Sequence, residues 1–224
     1  MLIVVPDVLT KDEIRTVSET VKQADFADGR ETAGARTQGI KNNLQTHDNT
    51  DPALQALILA ALARNGLFNT VAAPKKIIPP RFNLYREGMY YGDHVDNAIM
   101  QDGGAPLRVD MSFTLFISDA RDYDGGELII KGPQGPTPFK LPAGHMIVYP
   151  TYYYHEVTPV TRGERLACVT WLQSMIRDPA KREVLLELAL ASSHVEAAGN
   201  PALAQPLAHL DRARKNLLRL WADT

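Results

Sequence analysis

The feature that most constrains the fold is a change in hydrophobic periodicity near residue 75. Beyond it the apolar residues recur at every second position, most clearly over residues 109–117, and a period of two places alternate side chains on opposite faces of a β-strand. Turn signals interrupt the chain at short intervals, at Asp124-Gly125-Gly126, Gly132-Pro133, Gly135-Pro136 and Pro142-Ala143-Gly144. Short strands are expected between the turns, at residues 127–131, 138–141, 145–149 and 165–174. Many short strands without intervening helices indicate a β-barrel or a sandwich.

Helical patterns flank this β region on both sides. Thr10-Lys11-Asp12-Glu13 has the form of a capping box and predicts a helix over residues 10–25. Asp51-Pro52 has the pattern of the N-cap and first position of a second helix, whose apolar face carries Leu54, Leu57, Ile58 and Leu62. Helical spacing returns at residues 182–191 and 205–221. The polar residues 28–49 are predicted to be loop or exposed edge strand.

We therefore expect a mainly β fold with flanking helices, divided into three regions. These are an N-terminal helical and loop region over residues 1–74, a β core over residues 75–176 and a C-terminal helical region over residues 177–224. The last helix carries an apolar stripe that needs a partner surface, either on the β core or on a second copy of the chain. The stripe consists of Leu207, Leu210, Leu217 and Leu220.

Composition argues against several classes of protein. The 224 residues are 45% hydrophobic and 22% charged, as is ordinary for a folded soluble protein. The net charge of −2 gives no electrostatic basis for nucleic-acid binding, and no apolar run approaches the length of a membrane span. Cys168 is the only cysteine, and residues 1–10 lack the basic segment of a signal peptide. We expect a cytoplasmic protein with no nucleic-acid or membrane partner.

Two His-x-Asp triplets raise the question of a metal site. His94 and Asp96 fall in the β region, where residues i and i+2 share one face of a strand and can reach one ion. His209 and Asp211 fall in a helical pattern, where residues two apart point in different directions. We dismiss the second pair as a metal site and interpret Asp211 as a cap before the following helical residues. For His94 and Asp96 alone, a solvated loop is the competing interpretation.

A third ligand strengthens the metal hypothesis. His155 lies at the start of a β segment, whereas His145 follows Gly144 in a turn and His47 lies in the polar loop, where a substrate role is the alternative to simple solvation. Two histidines and one carboxylate with open coordination positions form the facial arrangement of non-haem Fe(II) oxygenases. The open positions would take a bidentate co-substrate and O2.

A dicarboxylate co-substrate such as 2-oxoglutarate needs a cation at the inner end of the barrel. Arg165 opens a predicted strand ten residues after His155, and a guanidinium can hold a carboxylate through two parallel hydrogen bonds. A surface arginine is the alternative interpretation. It suits Arg162 better, because Arg162 falls within the turn.

At these residues the sequence resembles the bacterial PKHD-type hydroxylases, which are Fe(II)/2-oxoglutarate-dependent dioxygenases related to prolyl 4-hydroxylases. The resemblance covers nearly the whole chain. It rests on Lys41-Asn42-Asn43, Tyr85, His94-Val95-Asp96-Asn97, Tyr123-Asp124-Gly125-Gly126-Glu127-Leu128, Tyr149-Pro150, His155-Glu156-Val157, Gly163, Arg165 and Trp171-Leu172-Gln173-Ser174.

The resemblance implies a double-stranded β-helix, or jelly roll, with Fe(II) held by His94, Asp96 and His155. It implies 2-oxoglutarate anchored by Arg165, where related prolyl hydroxylases commonly use lysine. Tyr85 is close enough in sequence to the strand of His94 and Asp96 to be a candidate hydrogen-bond partner of the co-substrate, and a structural role is the alternative. The reaction it implies consumes O2, converts 2-oxoglutarate to succinate and CO2, and turns a substrate C–H bond into C–OH. Ascorbate is a candidate reductant.

The substrate is predicted only as a class, a small molecule or a peptidyl side chain. Residues 28–49 and 97–106 are expected to form the mouth of the pocket, because specificity usually lies in loops. Lys41, Asn43 and Asn97 are candidate substrate contacts, although Lys41 and Asn43 could instead cap an edge strand. The C-terminal helices could form a homo-oligomer.

Two other functions fit the same three ligands. In a metal-dependent hydrolase they would hold Zn and an activated water, with Asp93 or Glu156 as the general base. This alternative leaves Arg165 without a role. The other is a non-catalytic metal-binding β-barrel. Three further motifs are interpreted structurally: Gly125-Gly126 as a turn, Tyr152–Tyr154 as packing on both faces of a strand, and Trp171 as filling of the barrel. One of the tyrosine hydroxyls could instead face the pocket.

Overall fold

The computed structural model describes residues 1–46 and 51–224. Within them the α-helices are α1 (Lys11–Lys22), α2 (Pro52–Arg64), α3 (Gly66–Ala72), α4 (Pro179–Ala197) and α5 (Ala204–Trp221). The strands are β1 (Ile3–Val5), β2 (Phe26–Asp28), β3 (Lys41–Asn42), β4 (Leu44–Thr46), β5 (Pro74–Ile77), β6 (Arg81–Tyr85), β7 (Tyr90–His94), β8 (Ile99–Asp102), β9 (Ala105–Arg108), β10 (Met111–Phe116), β11 (Asp124–Gly125), β12 (Leu128–Gly132), β13 (Gly135–Phe139), β14 (Met146–Pro150), β15 (Tyr154–Val157), β16 (Val160–Arg162) and β17 (Arg165–Ser174).

The strands form two main antiparallel sheets that face each other across a cavity. The larger sheet has eight strands in the order β1-β14-β10-β17-β6-β4-β2, with β5 also paired to β17. The smaller has five strands in the order β13-β12-β15-β7-β3, and β8–β9 and β11–β16 are separate two-stranded ribbons. This is the jelly-roll architecture that the family resemblance implies, with β1, β2 and β4 from the first 74 residues completing the larger sheet.

The N-terminal helices begin where their capping residues predict. Thr10 and Glu13 form a reciprocal capping box at the start of α1, and Asp51 caps α2 ahead of Pro52. Such caps each contribute about 1 kcal/mol to helix stability. The helix α3 was not expected, because its seven residues make only two turns, too few for a clear helical period.

The larger sheet buries both of its faces, and this explains where the functional site lies. On β10, Met111, Phe113 and Leu115 belong to the core shared with α1, α2 and α3. The intervening Ser112 and Thr114 line the cavity between the sheets. All six residues of β10 are buried, so the polar residues of its alternating pattern face a cavity inside the protein.

Two local predictions are wrong in detail. Tyr152 and Tyr153 form a turn before β15, and both Tyr152 and Tyr154 are more than half exposed, so the tyrosine run does not pack on two faces of a strand. The segment after Asn97 was expected to be a loop at the mouth of the pocket and is instead the β8–β9 hairpin, although its first strand still borders the cavity.

Gly125 and Gly126 shape a turn as predicted, with φ values of 68° and 65°.

The C-terminal helices pack on each other, and α4 packs against α3. Ile176 and Leu185 form a cluster with Ala73, against which Leu217 and Trp221 of α5 pack. The predicted stripe is therefore only partly correct: Leu220 is 76% exposed and lies outside this cluster.

Within the described ranges no single helix is both long and apolar enough to cross a membrane. The pair α2 and α3 meets the length and composition criteria only when the two are joined across an 84° bend.

Candidate active site

Two neighbouring strands of the smaller sheet bring the predicted histidines together. His94 is the last residue of β7 and lies directly opposite His155 of β15 in the sheet register. Their ring centroids are 4.2 Å apart. Asp96 is two residues beyond the end of β7, so the prediction that both members of the triplet lie on a strand is wrong. Its carboxylate nevertheless turns toward the two imidazoles.

The hydrogen bonds of the two histidines leave the same nitrogen of each ring facing Asp96. Nδ1 of His94 is 2.8 Å from the Gly92 carbonyl oxygen, and Nδ1 of His155 is 3.0 Å from that of Tyr153. A carbonyl can only accept, so each Nδ1 donates, and in the neutral form of the ring Nε2 carries the lone pair. The Nε2 atoms lie 4.0 and 3.8 Å from the Asp96 carboxylate oxygens.

This cluster suits a divalent metal ion. One ligand atom from each of His94, Asp96 and His155 lies within 4.8 Å of the other two. Among the described residues, these three form the cluster of histidine, cysteine or acidic side chains that could hold a metal ion. Burial, reinforced by the neighbouring His155, lowers the pKa of His94 to about 4, so the ring is neutral at pH 7 and able to ligate.

Aromatic rings fix the orientation of the histidines. The Tyr91 ring stacks on His94 at 3.7 Å between centroids, and the Tyr149 ring meets His155 edge-on at 5.1 Å. Burial raises the pKa of the Tyr149 hydroxyl well above its usual range, so it stays protonated. Tyr91 was not among the predicted site residues. The aromatic pair Tyr90-Tyr91, which precedes His94 in the sequence, is the signal that could have suggested a role for it.

Arg165 supplies a buried cation on the opposite wall. It is the first residue of β17, pairs in register with Tyr85 of β6 and is only 1% exposed. Its guanidinium lies 5.1 Å from the Tyr85 ring centroid and 5.3 Å from that of Phe116. Nε and Nη2 have no hydrogen-bond partner among the described residues. A buried guanidinium with free donors fits an anionic ligand.

The neighbours of Arg165 make room for it. Gly126 has a positive φ, and a Cβ there would lie 3.0 Å from Cδ of Arg165, so glycine suits both the turn and the packing. Burial raises the pKa of Tyr85 to about 12, which keeps its hydroxyl available as a donor. Arg162 is instead exposed and pairs with Asp124, which confirms its interpretation as a surface arginine.

A cavity of about 950 Å³ connects the histidine cluster with Arg165. Both predicted mouth segments contribute to it, residues 32–37 on one side and Asn97 with the start of β8 on the other. Trp171 also lines the cavity wall, with its ring centroid 5.7 Å from the Arg81 guanidinium, and it packs against the buried cluster of Ile78, Leu107 and Val109.

The three predicted substrate residues have different surroundings. Lys41 is buried on the edge strand β3, lines the cavity and donates to Thr32 Oγ1 at 2.9 Å and Gln45 Oε1 at 3.0 Å. Burial, with a smaller effect from the charge of Arg81, lowers the pKa of Lys41 to about 8. Asn97 also lines the cavity, whereas Asn43 is buried behind the wall beside Gly29.

The remaining histidine predictions have three outcomes. His47 lies outside the described residues. His145 lies in the turn before β14, as expected. His209 and Asp211 are both inside α5, where Asp211 pairs with Lys215 at 2.7 Å, so the interpretation of Asp211 as a cap is wrong.

The general bases needed by a hydrolase are already engaged. Lys131 lies 2.9 Å from a carboxylate oxygen of Asp93 and 3.4 Å from one of Glu156. Both candidate bases therefore pair with one ammonium group, and this geometry gives the hydrolase alternative no support.

Comparisons with known proteins agree with the fold and the chemistry of the cluster. Residues 80–173 match the model of the 2OG-Fe(II) oxygenase superfamily. The solved structure of a Pseudomonas putida prolyl-4-hydroxylase has 22% sequence identity and a TM-score of 0.60, over 77% of this chain and 92% of that one. A Trichoplax adhaerens prolyl hydroxylase, solved with a hypoxia inducible factor peptide fragment, has 15% identity and a TM-score of 0.56, over 76% and 82%. The fold and the site thus define a 2-oxoglutarate- and Fe(II)-dependent oxygenase.

The full-length comparison narrows this class to one family. The chain is 45% identical to a PKHD-type hydroxylase of Xanthomonas campestris pv. campestris, over the whole length of both proteins. The chain belongs to the PKHD-type hydroxylases and is an Fe(II)- and 2-oxoglutarate-dependent hydroxylase, with O2 as the other co-substrate.

Proposed function

We propose that His94, Asp96 and His155 bind the Fe(II) and that Arg165 binds the distal carboxylate of 2-oxoglutarate. The observation that carries this proposal is the pair of unpartnered, buried guanidinium nitrogens on the cavity that also holds the histidine cluster. The donor set fits Fe(II), since two imidazoles and one carboxylate leave positions open. Bound Fe(II) supplies O2 activation coupled to the oxidative decarboxylation of 2-oxoglutarate.

The chain's own residues would orient the co-substrate and keep water away from it. Arg165 would hold one carboxylate through two donors, and the Tyr85 hydroxyl beside it would donate a further hydrogen bond. Phe116 and the Tyr85 ring enclose the guanidinium and keep the effective dielectric low, which strengthens the ion pair.

The rest of the cavity is proposed to receive the substrate. The oxygenase family acts on small-molecule or peptide substrates, and we propose a peptidyl side chain for this enzyme, because Val95, Ile99 and Tyr154 are exposed around the opening and offer apolar contacts to a longer chain. Lys41 and Asn97 would contact the substrate. Asn43 would support the wall beneath them.

Four further expectations stay proposals. They are the three-region division at residues 74 and 176, the pairing of chains through the C-terminal helices, a cytoplasmic location without nucleic-acid or membrane partners, and ascorbate as the reductant.

The metal assignment is tested by O2-dependent conversion of 2-oxoglutarate to succinate. His94→Ala, Asp96→Ala and His155→Ala should each abolish it while the far-UV circular dichroism stays that of the wild type, because the β core holds the fold. His209→Ala is the matched control and should behave as the wild type. Full turnover in any of the three site variants would refute the ligand set.

A further inference from the structure

Asp96 depends on one neighbouring side chain for its orientation. It lies in irregular backbone beyond β7, so the strand does not fix the direction of its carboxylate. Ser112 Oγ donates to Asp96 Oδ2 at 2.6 Å. This is the length of a charge-assisted O–H···O⁻ bond. Among the described residues no other side-chain hydrogen bond to this carboxylate is formed.

Ser112 has a rigid base from which to hold the carboxylate. It is buried on β10, which pairs with β14 on one side and β17 on the other. Its strand neighbours Met111 and Phe113 are packed in the core beneath the N-terminal helices. The hydroxyl is thus carried by a central strand, and a rotation of Asp96 would break the bond.

The Ser112 bond holds the carboxylate in a position where each of its oxygens faces one imidazole. Oδ2 accepts from Ser112 and lies 3.8 Å from Nε2 of His155, whereas Oδ1 lies 4.0 Å from Nε2 of His94. We propose that Ser112 is a positioning residue of the metal centre, which keeps the Asp96 carboxylate turned toward the two histidines.

This inference rests on the proposed role of Asp96 as a ligand, and its test uses binding of Fe(II) without turnover. Fe(II) is titrated anaerobically into the protein in competition with a coloured chelator. Loss of an outer partner of a metal ligand typically costs about 10- to 100-fold in affinity, and Ser112→Ala should lose Fe(II) affinity within this range. Ser112→Thr keeps the hydroxyl and should recover most of the affinity.

Thr151→Val is the matched control. Thr151 is also buried, and its Oγ1 donates to the Val109 carbonyl oxygen at 2.9 Å, but it does not line the cavity. The variant should lower the melting temperature of the metal-free protein and leave Fe(II) affinity unchanged. At saturating Fe(II), the visible band that appears with 2-oxoglutarate should shift in Ser112→Ala and stay in place in Thr151→Val.

The outcomes distinguish the role of Ser112 from the role of Asp96 as a metal ligand. Wild-type Fe(II) affinity and an unshifted band in Ser112→Ala, alongside lost affinity in Asp96→Ala, would overturn the role of Ser112 alone. An equal loss of affinity in Ser112→Ala and Thr151→Val would also overturn it, since the effect would then be general destabilisation. Unchanged affinity in Asp96→Ala would instead refute the ligand assignment.

Discussion

Replacement of Arg165 gives the sharpest test of how the co-substrate is bound. Arg165→Ala removes both unpartnered nitrogens, Nε and Nη2, from a buried position on the cavity wall. A hydrogen bond to a charged group contributes roughly 1.5–3 kcal/mol, and about 1.4 kcal/mol corresponds to a factor of ten in affinity. Loss of one bond therefore predicts a decrease of at least about tenfold in 2-oxoglutarate affinity, and loss of both about a hundredfold or more.

Arg165→Lys should restore only part of the affinity, because an ammonium group lacks the planar pair of donors. Arg165→Met separates binding from stability. It fills a similar volume without a buried charge, so the metal-free protein should unfold at the same temperature as the wild type or a higher one.

The assay is calorimetric titration of 2-oxoglutarate into the Mn(II)-loaded protein under conditions that prevent turnover. Arg162→Ala serves as the control, since Arg162 is exposed and pairs with Asp124. The 2-oxoglutarate affinity of this variant should match that of the wild type. Unchanged binding in Arg165→Ala would refute the reasoning. It would move the anchor to another cation of the cavity, Lys41 or Arg81.

Two further predictions concern Lys41 and the C-terminal helices. The pKa of Lys41 is about 8 in the folded protein against 10.5 for an ordinary lysine. Between these two pH values the unfolded chain therefore binds more protons than the folded protein. The contribution of Lys41 to the free energy of unfolding consequently rises with pH across that window. Relative to Lys41→Met, the wild type should gain on the order of 1 kcal/mol in its free energy of unfolding from pH 7.5 to 9.5, measured by urea denaturation; a constant difference would contradict the burial of this ammonium group. A chain ending at Ser174 should be less stable and less soluble than the full chain, because Ala73 would lose its partners Ile176 and Leu185. Equal melting temperatures for the truncated and full chains would contradict the packing role of the C-terminal helices.

The sequence predicted the parts of the site that depend on local pattern. Period-two alternation identified β10 and β17, and the turn signals between them predicted the frequent reversals that a jelly roll requires. His155 and Arg165 were selected because each opens a predicted β segment, and the family resemblance agreed with both. That His94 lies opposite His155 could not be read from local pattern, since 61 residues separate them and the sheet register brings them together. No local pattern shows the burial of Arg165.

Features of the site that depend on tertiary structure could not be predicted from the sequence. Ser112 occupies a polar position of an alternating strand, which normally indicates the solvent face, but here the second sheet covers that face and turns it into a cavity wall. Lys41 lies on an edge strand, as one of the two expected alternatives, but it is buried there and lines the cavity, which its polar surroundings in the sequence do not show. Asp96 appeared to continue β7, and nothing in its sequence shows that the strand ends at His94.

The most direct test of the central claim is an anaerobic titration of 2-oxoglutarate into the Fe(II)-loaded wild-type protein, followed in the visible spectrum. The His94–Asp96–His155 site should give a weak charge-transfer band that saturates at one 2-oxoglutarate per chain and is absent with either component alone. It should also be absent in His155→Ala. No band at saturating Fe(II) and 2-oxoglutarate, or a full band in His155→Ala, would contradict the proposed centre.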